Sequence, residues 1–253
     1  MKKLSTFKSQ VPPLYLWYDK DCGLGHKLRC QTLGNEWLRR GGTVNFSGEP
    51  TAPAVIVFDD YSRDDSMCAL WQCANLTVVI EDRPLADLIT SDVLLNPNYG
   101  AEKLRYNATG RTLLGVQYFM LRDEYRTLNV TGTRGVFDAD AQDRKLDAGK
   151  FALQMAMANV IVCSAGLTAH EALYLHKPML LRCSASNQLA TYEALIADGY
   201  ALPENSDSEK RAQADKNYLA KVSGQHLIDG RGAERVVDVI LEEWEKKVWS
   251  RDD

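Results

Sequence analysis

The sequence has no excess of positive charge and no long apolar run, and these absences exclude several classes of protein. Lysine and arginine number 30 against 34 acidic residues, a net charge of -4, so no basic field indicates a nucleic-acid or anionic-lipid partner. The longest apolar stretches, such as residues 54–58, are far shorter than the roughly 20 residues that cross a bilayer. The N-terminus also lacks the apolar core of a secretory signal, so we expect a cytoplasmic protein without membrane-spanning helices.

Paired cysteines are missing as well. The 6 cysteines include no CxxC pair and no Cys/His cluster with zinc-ligand spacing, which predicts reduced thiols, no metal site and no cofactor. His170, His176 and His226 have no ligand partners at a useful spacing along the chain. We therefore interpret these three histidines as structural.

What is present is an ordinary globular composition, 45% hydrophobic and 25% charged, in which short Val- and Ile-rich runs alternate with helical patterns. This alternation predicts parallel sheets that are buried on both faces, and therefore an α/β fold. A weak symmetry between two α/β halves predicts domains at 1–124 and 125–253. The predicted strands are 14–18, 43–46, 54–58, 76–80, 93–95, 112–115, 127–131, 160–164 and 179–183; the predicted helices are 26–40, 66–73, 150–158, 168–175, 187–198, 204–222 and 233–249; and the polar run 137–149 is predicted to be a linker or surface loop.

The glycine turn between the first strand and the first helix is one candidate ligand site. Gly23 and Gly25 lie where a strand passes into a helix, so backbone N–H groups and the positive helix end would face an anionic or sugar ligand. Glycines also serve simply to reverse the chain. His26 begins the predicted helix, and a histidine held beside a cleft suits general acid or base chemistry. The alternative is a solvent-exposed helix residue.

Acidic residues follow two later strands of the first half. Asp60 precedes Tyr61, and Asp82 follows another strand, and ligands gather at the carboxyl ends of parallel strands. Carboxylates there act as general bases or bind sugar hydroxyls, although many only cap the next helix. Asp60 and Asp82 are therefore candidate catalytic residues, and Asp19 in the glycine turn is a candidate ligand of sugar hydroxyls.

The second half repeats the strand, turn and helix design. Gly166 and Thr168 lie at a predicted helix start whose N–H groups could bind a phosphate, and Glu171 could bind ribose hydroxyls. The alternative is a capping box, in which Thr168 caps the helix and Glu171 binds back to the cap. Asn187 and Gln188 add amides at the next such junction, where Asn187 could instead be an N-cap.

Eight motifs follow one another in a fixed order over nearly the whole chain. They are GLGHKLR at 23–29, DDY at 59–61, VIED at 79–82, LLNPN at 94–98, GVQY with LR at 115–122, SAGLTAHE at 164–171, NQ at 187–188 and DGRGA at 229–233. Together they resemble the UDP-sugar hydrolases of the pseudaminic acid pathway and the related spore-coat polysaccharide proteins. Those families are similar to glycosyltransferases of the GT-B type, which have two Rossmann-like lobes.

The resemblance implies that a nucleotide-diphosphate sugar, UDP-linked, lies in a cleft between two Rossmann-like lobes. It implies that His26 activates a water or orients the reacting centre. The loop from Gly166 to Thr168 would bind the diphosphate, and Glu171 would bind the ribose. Further substrate-binding residues carried over from the matching motifs are Arg29, Tyr61, Asn187 and Gln188. Between residues 130 and 150 there is room for only about one loop, so the second lobe is expected to be shortened.

The predicted activity is cleavage of the bond between an anomeric carbon and a nucleotide diphosphate, with water as the acceptor. One alternative is transfer of the sugar to a hydroxyl of a glycan, a protein or a modified nucleic-acid base. The other alternative is a non-catalytic module that binds a nucleotide sugar.

Overall fold

The computed structural model of the chain describes residues 11–18, 24–51, 53–83, 87–128, 134–143, 145–207 and 226–249. These residues form a mixed α/β structure with parallel sheets, as the sequence predicts, and its strand and helix order is Rossmann-like. Within these ranges, we find no helix whose length and apolar character would allow it to span a bilayer.

The first sheet has six parallel strands. They are β1 (Leu14–Tyr18), β2 (Val44–Asn45), β3 (Val55–Asp59), β4 (Leu76–Ile80), β6 (Val93–Asn96) and β8 (Arg111–Leu114), in the spatial order β2-β1-β3-β4-β6-β8. Every residue of β3 and β4 is buried, which explains why these strands are continuous apolar runs. Two short strands, β5 (Leu88–Ile89) and β7 (Asn107–Ala108), pair with each other beside this sheet.

Helices cover both faces of the first sheet. They are α1 (Leu24–Arg39), α2 (Asp65–Gln72) and, near the end of the chain, α7 (Gly232–Trp249). Val57 of β3 packs in one core with Leu33 of α1 and Ile240 of α7. Its neighbour Phe58 packs in a second core with Cys68 of α2. The alternation of side chains along β3 therefore separates the two cores.

The last helix joins the first sheet although it follows the second sheet along the chain. Val236 and Ile240 of α7 are fully buried in the core that contains β1 and α1. At the start of α7, a Cβ on Gly232 would lie 2.1 Å from the carbonyl oxygen of Phe119. Only glycine allows this close approach. The predicted region 125–253 thus contributes a helix to the core of the first half.

The second sheet has four parallel strands. They are β9 (Arg134–Asp138), β10 (Ala158–Ser164), β11 (Met179–Arg182) and β12 (Ala201–Pro203), in the order β12-β11-β10-β9, and the helices of this half are α3 (Asp123–Arg126), α4 (Ala148–Met157), α5 (Leu167–Tyr174) and α6 (Leu189–Ala197). Phe119, Leu121 and Tyr125 lie before the sheet in sequence and pack into its core.

The predicted linker at 137–149 is wrong at both ends. Phe137 and Asp138 belong to β9, and α4 begins at Ala148. Phe137 packs edge-on against Phe151 with ring centroids 5.6 Å apart, and Asp138 pairs with Arg182 at 2.8 Å. Because Arg182 lies on another strand of the sheet, the local polar pattern could not reveal that Asp138 has a partner within the sheet.

Other boundaries also differ from the predictions. The first helix begins at Leu24, so Gly25 belongs to the helix rather than to the turn before it, and His26, predicted to be the first helical residue, is the third. Of the predicted helix 204–222, residues 204–207 are not helical and the rest lies outside the described residues. The predicted strand 127–131 is absent at 127–128, and its remainder also lies outside the described residues.

Candidate functional site

A cleft of about 280 Å³ lies between the two sheets, at the carboxyl ends of their strands. One wall is the start of α1 with the residues that follow β4 and β6, and the other wall is formed by the loops after β9, β10 and β11. The lining includes the predicted site residues Gly25, His26, Arg29, Asp82, Gly166, Thr168, Asn187 and Gln188 and does not include Asp60, Tyr61 or Glu171. Asp19 and Gly23 lie outside the described residues.

His26 is held by the buried carboxylate of Asp59, the last residue of β3. Nδ1 of His26 lies 2.7 Å from Oδ1 and 3.2 Å from the backbone carbonyl oxygen of Asp59. Burial raises the pKa of Asp59, but the charge of Arg29 and the hydrogen bonds from His26 and Arg29 outweigh burial and lower it. Asp59 is therefore ionised and can only accept. In the neutral ring we therefore assign the proton to Nδ1, and Nε2 is the nitrogen that can accept a proton.

Arg29 completes this arrangement from the next turn of α1. Its Nε donates to Asp59 Oδ2 at 2.5 Å, its Nη2 donates to Asp59 Oδ1, and its Nη1 donates to Asp82 Oδ2 at 3.2 Å. The i, i+3 spacing places His26 and Arg29 on the same helix face. Nη2 of Arg29 also lies 3.1 Å from Nδ1 of His26. This contact is not a hydrogen bond in our assignment, because both nitrogens carry protons that point to Asp59.

Tyr61 and Asn187 extend the cluster across the cleft. The hydroxyl of Tyr61 donates to Asp82 and accepts from the amide of Asn187 at 2.8 Å. Burial, and then the charge of Asp82, raise the pKa of Tyr61, so this hydroxyl remains protonated. The rings of Tyr61 and His26 meet edge-on with centroids 4.9 Å apart. The ring of Tyr61 thus contacts the ring of His26, although Tyr61 itself does not line the cleft.

The N-cap alternative for Asn187 is wrong. Asn187 lies inside a 3-10 turn, Ser186–Gln188, and α6 begins after that turn. Its amide is directed to Tyr61 rather than to the start of a helix. The neighbouring Gln188 lines the cleft, and its side-chain oxygen accepts from the backbone N–H of Ser184 at 3.0 Å.

Asp60 does not belong to this cluster, so its assignment as a catalytic residue is corrected. Its carboxylate accepts from the backbone N–H and the hydroxyl of Ser62, at 2.8 and 2.7 Å, and closes a turn. Asp59, rather than the predicted Asp60, is the carboxylate beside His26. The alternation of side chains along β3 could have indicated this. Val55 and Val57 pack in the core that contains α1, and Asp59 lies on the same face of the strand.

The opposite wall of the cleft contains the start of α5. Gly166 is the N-cap and supplies no side-chain cap, and Thr168 is the second residue of the helix. The first N–H groups of a helix have no partner within it. Because Gly166, Leu167 and Thr168 all line the cleft, this wall carries the partial positive charge of the helix start.

Both interpretations of Glu171 are corrected by the structure. Glu171 is fully buried, and its two oxygens accept from Nε and Nη2 of Arg122 at 2.5 and 2.8 Å. The hydroxyl of Tyr125 donates to the same carboxylate at 2.8 Å. The carboxylate is therefore neither open to a ribose nor part of a capping box with Thr168, because Gly166 is the N-cap.

Replacing Glu171 with Ala is expected to lower the free energy of unfolding by about 3–5 kcal/mol, because it leaves the Arg122 guanidinium buried without its carboxylate. Urea unfolding of the variant measures this change. The matched control is Glu193→Ala, which removes an exposed glutamate from α6 and should change stability by less than about 0.5 kcal/mol. A loss of about 1 kcal/mol or less for Glu171→Ala would contradict the buried ion pair.

His170 of α5 links the second half to the first through one hydrogen bond and binds its own helix start through another. It is fully buried, its Nε2 accepts the backbone N–H of Tyr99 at 2.8 Å, and its Nδ1 donates to the carbonyl oxygen of Gly166 at 2.8 Å. Its ring also stacks on Phe119 with centroids 4.8 Å apart. Burial lowers the pKa of His170 to about 4. A neutral, structural histidine therefore supports the loop at the start of α5.

The burial of His170 predicts that stability falls in mildly acidic solution. Between pH 6.5 and the folded pKa of about 4, the unfolded chain binds more protons than the folded chain, so stability decreases as the pH falls. We expect a loss of about 2 kcal/mol from pH 7 to pH 5 by urea unfolding, and a smaller loss in His170→Gln. Equal losses in the two proteins would contradict this. The variant is needed because His176 also contributes to the loss of stability in acid, since burial and the charge of His226 lower the pKa of His176 as well.

His176 and His226 meet although 50 residues separate them along the chain. Nε2 of His176 lies 3.3 Å from Nδ1 of His226, a proximity that their sequence spacing could not show. In the part of the chain that the structure describes, we find no group of three or more His, Cys, Asp and Glu side chains arranged to hold a metal ion.

Comparison with known proteins adds no family to these observations. No protein-family model matches the sequence, and no curated protein matches it.

Proposed function

We propose that the protein hydrolyses a nucleotide-diphosphate sugar, UDP-linked, in the cleft between the two sheets, with its two halves arranged as the lobes of a GT-B-type enzyme. The observation that carries the proposal is the ordered His26–Asp59 pair at the cleft wall. A histidine whose Nδ1 proton is fixed by a carboxylate has Nε2 available as a general base.

In the proposed step, Nε2 of His26 takes a proton from a water molecule whose oxygen attacks the anomeric carbon. The bond from that carbon to the diphosphate oxygen breaks, and its electron pair leaves with the diphosphate. The products are the free sugar and the nucleoside diphosphate. Asp59 would stabilise the imidazolium that forms. Asp59 and Asp82 carry two negative charges and Arg29, which pairs with both, carries one positive charge, so the cluster can accept a second positive charge.

The leaving diphosphate and the sugar would contact different walls. Negative charge that develops on the diphosphate would be stabilised by the N–H groups at the start of α5, which lines the cleft through Gly166 and Thr168. Sugar hydroxyls would exchange hydrogen bonds with Asp82 and Asn187, which line the cleft near His26.

Incubation of the protein with a panel of UDP-hexoses and UDP-N-acetylhexosamines in H₂¹⁸O tests the proposal. We expect UDP and free sugar by NMR, with ¹⁸O on the anomeric carbon. Label on a phosphate would instead show that water attacks phosphorus rather than the anomeric carbon, and would reject the proposal. Turnover only after a sugar or nucleic-acid hydroxyl acceptor is added would favour transfer, and UDP-sugar binding without conversion would favour a binding module.

A further inference from the structure

The guanidinium of Arg122 has a terminal N–H₂ group, Nη1, that makes no hydrogen bond to another described residue. Arg122 lines the cleft although only 8% of the residue is exposed. Its Nε and Nη2 donate to Glu171, and Nη2 also contacts the hydroxyl of Tyr125 at 3.1 Å. Among the described residues, no hydrogen bond partner is present for Nη1. A nine-tenths buried cation therefore has one N–H₂ group left for a ligand.

Glu171 and Tyr125 hold this guanidinium in one orientation. Both oxygens of Glu171 bind Arg122 in the two-pronged geometry that arginine and carboxylate favour. The hydroxyl of Tyr125 donates to Glu171 and lies 3.1 Å from the sulfur of Met155. The ring of Phe151 lies 5.8 Å from the guanidinium carbon. Because all these groups are buried, Arg122 loses little freedom when it binds a ligand.

A helix start adds positive charge beside Arg122, in a cleft whose lining also includes the carboxylates of Asp82, Asp140 and Asp143. The start of α5, from Gly166 to Thr168, lines the same cleft and adds the partial positive charge of the helix N-terminus, although the N–H of Gly166 itself donates to the carbonyl oxygen of Ser164 at 2.8 Å. The carboxylate of Asp140, which also lines the cleft, is bound to the backbone N–H and hydroxyl of Ser164 at 3.1 and 2.7 Å. A planar arginine beside a helix start is a combination that binds phosphate oxygens.

We propose that Nη1 of Arg122 binds a phosphate oxygen of a diphosphate-containing ligand, with Glu171 and Tyr125 as positioning residues. The identity of that ligand as the leaving group of a nucleotide sugar rests on the proposed function. The assignment also gives the buried Glu171 a role other than ribose binding, since it orients the cation that meets the ligand.

Calorimetric titration with inorganic pyrophosphate tests the assignment. The test protein carries Arg122→Gln and Glu171→Gln together, which removes the cation without leaving a buried carboxylate unpaired and without changing the net charge. We expect its pyrophosphate affinity to be at least about tenfold weaker than that of the wild type. The control, Arg111→Gln, removes an exposed arginine outside the cleft and should bind as the wild type does.

A second variant keeps the buried pair intact. Thr168→Glu places a carboxylate in the first turn of α5, where it suits the helix but competes with an anion, so it should abolish pyrophosphate binding. Wild-type affinity in a folded double variant, wild-type affinity in Thr168→Glu, or no binding of pyrophosphate by the wild type would each overturn the proposal.

The two proposals fail in different ways. Pyrophosphate binding that depends on Arg122, together with no turnover of any nucleotide sugar, would support the anion site and reject the proposed hydrolysis. Turnover in a double variant that still binds pyrophosphate normally would support the hydrolysis and reject the role of Arg122.

Discussion

Replacing Asp59 with Asn is expected to lower kcat for UDP-sugar hydrolysis on the order of 10³-fold. Asp59 accepts the Nδ1 proton of His26 at 2.7 Å. An asparagine amide can donate to Nδ1 instead, which would place the ring proton on Nε2 and remove the base from the cleft. Steady-state kinetics with the substrate identified by the labelling experiment measures this loss.

The matched control for Asp59→Asn is Asp60→Asn, the same change at the next residue. Asp60 binds only within its own turn, so we expect kcat close to that of the wild type. Because Asp59→Asn also removes the carboxylate that Arg29 binds most closely, thermal melts must show that both variants are folded at the assay temperature. A greater loss in Asp60→Asn than in Asp59→Asn would overturn the assignment of the pair.

Replacing His26 with Ala is expected to lower kcat by about a hundredfold or more, the usual contribution of a positioned general base. His26 is only 5% exposed, so the alternative of a solvent-exposed helix residue is wrong, but it lies in the first turn of α1 and belongs to none of the three apolar clusters of the described residues. We therefore expect the fold to persist. Kinetics of the variant, with added imidazole as a rescue, measures the loss and its cause.

His226→Ala is the control for His26→Ala, because His226 is exposed and lies outside the cleft. It should retain wild-type kcat. Wild-type rates in His26→Ala would remove His26 from the mechanism. If the variant stays folded and imidazole restores part of the rate, the missing group is the base itself rather than a structural contact.

Much of the fold and the position of the site could be predicted from local patterns. The apolar runs of β3 and β4 match the predicted strands closely, because strands buried on both faces must be apolar throughout. The partly buried strand β1 and the amphipathic helix α7 also match their predicted ranges. The strand-to-helix junctions at His26 and Gly166 do meet in one cleft. A loop that leads from a parallel strand into the next helix always begins at the carboxyl end of that strand, so its position at this edge does not depend on its other contacts.

The roles of the acidic residues could not be predicted in the same way. Asp59 and Asp60 are adjacent and chemically identical, yet one meets His26 and the other closes a turn. Glu171 has the spacing of a capping box with Thr168, but its partner Arg122 lies 49 residues away. A carboxylate takes its role from the cations and donors that reach it, and those arrive from distant parts of the chain.

The sequence by itself determined that this protein is α/β, where most of its described strands and helices lie, and that the junctions at His26 and Gly166 lie at the carboxyl ends of strands. These properties follow from hydrophobic periodicity and from glycine at turns, which act over a few residues. Only the tertiary structure decided that α7 returns to the first sheet, that Asp59 rather than Asp60 holds His26, and that Glu171 is committed to Arg122. Each of these depends on burial and charge pairing between distant segments, because a buried polar group is stable only where its partner is brought to it.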